Sequence, residues 1–200
     1  MTATERTTAV TAPDPAAPGP SGGWAPPGPR WEERDLALWA CLDDDLDGAE
    51  FRSRMDALVG ELPDGHPAGL FERAAAWDST GRSDRAVPLY AEALRRDLTG
   101  ERRRRAVIQM ASSLRNLGRS EESVALLTAE REAADDHLND AVAVVLALAL
   151  ADVGRAREGV AVAVAALAPH LPRYQRSMAD YARALGETAA REDGPGPAGA

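Results

Sequence analysis

RRAVIQMASSLRNLGRSEESVALL, residues 104–127, decides the fold. Apolar residues recur at helical spacing as far as Leu117, Gly118-Arg119 interrupts them, and a second helical segment starts at Ser120. Two relatives of this turn flank it: Gly81-Arg82-Ser83-Asp84-Arg85-Ala86 before and Gly154-Arg155-Ala156-Arg157-Glu158-Gly159 after. The three glycines stand 37 and 36 residues apart (118 − 81 and 154 − 118). A fixed period of this length is the mark of a solenoid that stacks one helix–turn–helix unit.

Each turn glycine has a small residue seven positions before it (Ala74, Ala111, Ala147) and another five after it (Ala86, Ser123, Gly159). Small residues there let the paired helices cross closely, and glycine supplies the left-handed backbone that ends the first helix. The pattern predicts helix pairs Pro67 to Thr80 with Ser83 to Arg96, Arg102 to Leu117 with Ser120 to Ala134, and Leu138 to Val153 with Ala156 to Ala168. A last helix from Arg173 to Ala190 caps the stack, since an open solenoid end needs a cover.

On these residues the chain resembles the tetratricopeptide repeat (TPR) family, and within it the short bacterial proteins of the group-5 type. The resemblance covers residues 67–168. It implies an all-α, TPR-type helix–turn–helix solenoid of three repeats with flanking and capping helices. The large position late in the second helix falls on Tyr90, Leu127 and Ala163. The next small position falls on Ala93 and Ala166, but repeat 2 carries Glu130 there. The first aromatic position falls on Leu70, Val107 and Ala143, and repeats 1 and 2 lack the family's final proline. The longer period implies slightly longer helices.

The division that follows is a Pro/Ala-rich tail over 1–30, a helical pair over 31–66, repeats over 67–103, 104–139 and 140–168, a capping helix over 169–190 and a tail over 191–200. The first tail holds seven of the fourteen prolines and is expected to be disordered. Trp24, and Trp31 at the tail's edge, are its only large anchors. In the helical pair, Asp47 caps the second helix with Glu50 at its N3 position, and Phe51, Met55, Leu58 and Leu62 form a narrow apolar face. Asp43-Asp44-Asp45-Leu46-Asp47-Gly48 matches the first half of a calcium loop, but Arg54 stands where the bidentate carboxylate belongs. The segment reads as an acidic connector.

A net charge of −9 argues against a surface that seeks phosphate, so no nucleic-acid partner is expected. The run Arg102–Arg105 starts a helix, where cations oppose the macrodipole, and Asp97, Glu101 or the 43–47 segment are expected to pair with it. All 23 basic residues are Arg, a bias that fits a GC-rich, bacterial genome. With Cys41 as the sole cysteine and no long apolar span, the chain reads as cytoplasmic, with no membrane partner. His66, His137 and His170 lie on separate elements, so no catalytic centre, metal or cofactor is expected, and the protein reads as a non-enzyme.

The expected function is a non-catalytic protein- or peptide-binding scaffold. In the repeat 2 helix, Arg105, Gln109, Ser112 and Asn116 share one face, opposite the apolar face. The resemblance implies that first helices line the groove where a peptide lies. Phe71 and Glu72 from repeat 1 and Val145 and Leu148 from repeat 3 extend that face, which becomes apolar at its far end. Phe71, Ala75, Ala141 and Val145 occupy the positions of the family's carboxylate clamp, so that activity is not expected. The alternative is a structural or self-associating repeat protein whose groove is filled by its own chain or a second copy.

Overall fold

A computed structural model describes residues 23–42, 47–133 and 135–192, with side chains to Ala189. Among them are nine α-helices and no strand: α1 (Pro29–Ala40), α2 (Gly48–Val59), α3 (Pro67–Ser79), α4 (Ser83–Arg95), α5 (Gly100–Asn116), α6 (Ser120–Ala133), α7 (Asn139–Asp152), α8 (Ala156–Leu167) and α9 (Gln175–Glu192). Each helix from α2 onward packs on the next, and α3, α5 and α7 also touch in series. This is the layout of a solenoid, in which α3, α5 and α7 form one layer and α4, α6 and α8 the other.

The three turns explain the period. Gly81, Gly118 and Gly154 have φ of 78°, 73° and 83°. After each, the next N–H bonds back to a carbonyl five residues earlier: Arg82 to Trp77 at 2.9 Å, Arg119 to Leu114 at 2.9 Å, Arg155 to Leu150 at 2.8 Å. The left-handed glycine is what lets these orphan carbonyls be satisfied. At the crossings Ala74 and Ala111 are wholly buried. A side chain on Gly159 would put its Cβ 2.6 Å from the Ala147 carbonyl oxygen. Close approach there is therefore physical, not incidental.

Three apolar clusters follow the stack. One joins Phe71, Tyr90, Met110 and Leu114 across α3, α4 and α5. Another joins Leu127, Val142, Leu146 and Leu150 across α6 and α7. The third joins Trp31, Phe51, Met55 and Leu58 to Ala76 and so fastens α1 and α2 to α3. Full burial of each large side chain contributes about 1.5–3 kcal/mol, so the large residues dominate the holding energy.

The folded part starts earlier than the sequence implies. Trp31 is buried and donates from Nε1 to the Leu58 carbonyl at 2.9 Å. Ahead of α1, the Trp24 ring meets His66 edge-on at 5.2 Å, and the Ala25 carbonyl lies 2.9 Å from His66 Nε2. Asp47 Oδ1 caps α2, accepting from Ala49 N at 2.8 Å and Glu50 N at 2.9 Å. Glu50 bonds Arg54 in the next turn, so Arg54 is held as an ion pair within the helix. The remaining acidic positions, 43–46, lie outside the described residues, as do 1–22 and 193–200. At the other end α9 lies on α8 and buries Ala182 and Ala189, while Tyr174 and Tyr181 are exposed.

Candidate functional site

The layer α3–α5–α7 carries every residue the sequence assigns to the groove, and the structure sorts them by access. Phe71 is wholly buried, 6.1 Å from the Tyr90 ring, with the Arg105 guanidinium 5.3 Å above its own ring. Glu72 is buried too, accepting from Arg102 Nε at 2.8 Å and from Trp39 Nε1 at 2.9 Å. Neither lies open to a peptide: α1, through Trp39, covers this end. Arg105, Gln109 and Ser112 are half-buried, and Asn116 is exposed.

The polar stripe on α5 is also partly structural. Gln109 Oε1 accepts from the buried Tyr90 hydroxyl at 3.1 Å, and Asn116 Nδ2 donates to Ser83 Oγ at 3.4 Å. Below them the wholly buried Ser113 donates to Asp78 Oδ1 at 2.5 Å. Burial pushes the Asp78 carboxyl above its ordinary value, although the hydroxyls of Ser113, Ser83 and Tyr90 oppose that. Burial likewise drives the Tyr90 hydroxyl far up, with Asp78 and Glu72 adding to it. So Gln109 and Asn116 also tie α5 to α4 by hydrogen bonds.

On α7 the open apolar residues are Val144, 50% exposed, and Leu148, 47% exposed. Val145 instead packs half-buried against the α6–α7 cluster. The helix is apolar nearly all round, so no polar face in its sequence marks which residues point outward. Arg115 and Asp152 bridge α5 to α7 at 2.7 Å, and Ser120 Oγ donates to the same carboxylate at 3.3 Å. The Arg115 bond holds Asp152 below the usual carboxylate range.

Three arginines of the run, Arg102, Arg103 and Arg104, are taken up inside the protein, by partners other than Asp97 and Glu101. Arg102 bonds Glu32 through two nitrogens at 2.8 and 2.6 Å, and also Asp35 and Glu72. Arg103 and Arg104 share Glu130, whose oxygen lies 2.6 and 2.9 Å from them. Arg104 further reaches Asp136 at 3.0 Å and Asn139 at 2.7 Å. Glu130 is thus explained: it replaces the family's small residue because α5 sends two cations to that spot. Glu130 and the run are 26 or more residues apart, so only the fold brings them together.

Among the described residues no group of His, Cys, Asp and Glu could enclose a metal ion. His66 Nδ1 accepts from Ala68 N at 3.2 Å and caps α3, while His137 and His170 sit near Glu101 and Asp140. Cys41 donates to the Ala37 carbonyl. No described helix is long and apolar enough to cross a membrane.

Stacked helical hairpins with small crossing residues and left-handed glycine turns define a helical-repeat protein. A family model described as Tetratrico peptide repeat, of group 5, matches residues 67–185. The chain belongs to the tetratricopeptide repeat family. The match runs past residue 168 into α9, which packs on α8. No curated protein and no solved structure matches the chain.

Proposed function

We propose that the protein is a non-catalytic scaffold that binds a peptide or protein segment on the open face of α5 and α7. The family is one of protein-interaction scaffolds, which supports the class. The observation that carries the site is the half-exposed pair Val144 and Leu148, one turn apart on α7. The neighbouring helix α5, which touches α7, contributes Ser112, Asn116 and Arg105. Apolar side chains give such a face affinity, and nearby donors fix the direction of the bound chain. Arg105, which rests on Phe71, pairs with no carboxylate among the described residues and adds a preference for acidic segments.

A second reading keeps weight because of one observation. Trp24 and α1 already lie over the α3 end, so the chain itself covers part of the layer. The two readings are compatible if the open half alone takes a partner. The test is a photo-cross-linking residue placed at Leu148 and, as control, at Leu167, which is exposed on α8. Adducts with a second protein from position 148 and not 167 support the reading. Adducts only with a second copy of this chain support self-association, and equal adducts from both positions refute a dedicated face.

A further inference from the structure

α8 and α9 lie side by side, and the buried Ala161 and Ala182 mark the line where they meet. A cleft lined by Ala165 and Ala166 of α8 and by Ala179 and Arg183 of α9 opens on one side of that line. At about 100° per residue, Val160, Val164 and Leu167 fall on the other side of α8. Met178, Tyr181 and Leu185 fall on the other side of α9. Val160, Leu167 and Tyr181 are exposed, Tyr181 by 65%, and the other three are half-buried. Tyr174, seven residues ahead of Tyr181 and just before α9 begins, is 72% exposed. Four of the eight large apolar residues exposed among the described residues therefore stand on these two helices. Single exposed apolar residues are ordinary, but a contiguous patch marks a surface that something covers.

The patch has the shape of a helix-packing seam. Val160, Val164 and Leu167 recur at i, i+4 and i+7, and Met178, Tyr181 and Leu185 at i, i+3 and i+7, the spacing that presents a narrow stripe to another helix. None of the six is charged, so nothing in the stripe selects an acidic or a basic partner. The charge of the chain is arranged to match. Residues 31–66 hold eleven Asp and Glu against three Arg, which is −8 of the net −9. α8 has one Arg and one Glu, and α9 has three Arg with three Asp and Glu, so both helices are neutral. The acidic pair α1–α2 is fastened to α3, at the opposite end of the stack. Two copies can thus meet at α8 and α9 without bringing like charge together, the main obstacle to self-association in a chain of net charge −9.

We propose that the α8–α9 face is the interface of a symmetric dimer, with the same face of a second copy as its occupant. A two-fold pair uses one patch on both chains, so an uncharged helical stripe is its own complement. Interfaces between identical copies are also the more apolar kind. The two tyrosines offer roughly 200–350 Å² per copy. That is a quarter to two-fifths of the ~800 Å² that each partner of a stable pair buries, and the α8 stripe adds to it. The interface does not depend on the peptide reading of α5 and α7. Leu167 lies within it, so a cross-linker there is expected to reach a second copy and no second protein.

The experiment is analytical sedimentation of the full chain between about 1 and 100 µM, beside Tyr181→Glu, Val160→Glu and, to discriminate the α7 face, Leu148→Asp. At the upper concentration the wild type is expected at twice its 21.2 kDa, with a Kd below about 10 µM. Each glutamate is expected to raise that Kd at least about tenfold, since a symmetric pair has to bury the new charge twice. Leu148→Asp is expected to sediment as the wild type does. Tyr181 and Val160 are exposed, so both glutamate variants should melt like the dilute wild type. The wild type should melt higher as its concentration rises, because a second copy binds only the folded chain. If one glutamate variant fails to fold, the other decides, and the wild-type mass stands on its own. A wild type that stays at 21.2 kDa up to about 100 µM overturns the proposal. A dimer that Leu148→Asp dissociates and the glutamates do not also overturns it, since the copies then meet through α7.

Discussion

Glu130→Ala sets the family pattern against the structure. The family carries a small residue at this position, and on sequence alone the change should be benign. In the structure Glu130 is 3% exposed and bonds Arg104, itself 3% exposed, at 2.9 Å. Removing one partner of a buried ion pair costs about 3–5 kcal/mol, because the other charge stays buried. Arg104 keeps the residue 130 carbonyl, Asp136 and Asn139, which places the loss at the lower end, about 3 kcal/mol. Arg103 is more exposed and can turn to water, so its loss adds less than about 1 kcal/mol. For a chain of this size that is a fall in Tm of roughly 6–12 °C. Urea unfolding of Glu130→Ala, Arg104→Leu and the double variant measures the coupling. The double variant should lie within about 1 kcal/mol of the wild type, since no charge is then stranded. A single variant that loses under about 1 kcal/mol would refute the claim that this ion pair is what Glu130 is for.

Other outcomes follow from the same contacts. Ala111→Leu overpacks the α5–α6 crossing, where Ala111 is wholly buried, and should cost roughly 1–3 kcal/mol in a denaturant melt. Gln109→Ala removes the acceptor of the Tyr90 hydroxyl and should cost about 0.5–1.5 kcal/mol, against nothing measurable for a purely solvated face. Asp35→Asn should stabilise the protein at pH 8 by on the order of 2–4 kcal/mol and leave it unchanged near pH 4. The sign follows because Asp35 holds its proton more tightly folded than unfolded, so its contribution is intact below the unfolded value and is lost as pH rises to about 7. Equal effects at both pH values would mean that Asp35 does not titrate in that range.

The repeat was legible because its signals are local. Gly118 with Ala111 and Ser123 fixes a turn and two crossing points within a dozen residues, and the turn geometry matches at all three glycines. The Asp47 cap was legible for the same reason. The partners of Arg102 and Arg104 were not, since they lie 26 to 70 residues away along the chain. Glu130 carried a usable signal, a charge where the family places a small residue, but nothing in the sequence tied it to Arg104. Nor did the sequence show that Val144 is more open than Val145, which packs half-buried against the α6–α7 cluster. One residue is about 100° of rotation, and a helix apolar nearly all round does not record its own facing. Coverage of Glu72 by α1 depended on Trp39 and Trp31, whose docking no periodicity encodes.

The claim that α5 and α7 form the binding face is tested most directly by one ratio of affinities. A peptide is selected from a random library against the wild-type protein, and its Kd is measured for the wild type and for Leu148→Asp. Leu148 is 47% exposed, so a charge there costs the fold less than about 0.5 kcal/mol. Under a bound apolar side chain the same charge removes about 1.5–3 kcal/mol of burial, a loss of roughly 10- to 150-fold in affinity. A ratio in that range, with an unchanged melt, is the expected result. A ratio near one would mean that peptides bind elsewhere on the molecule, and the assignment of this face would fall.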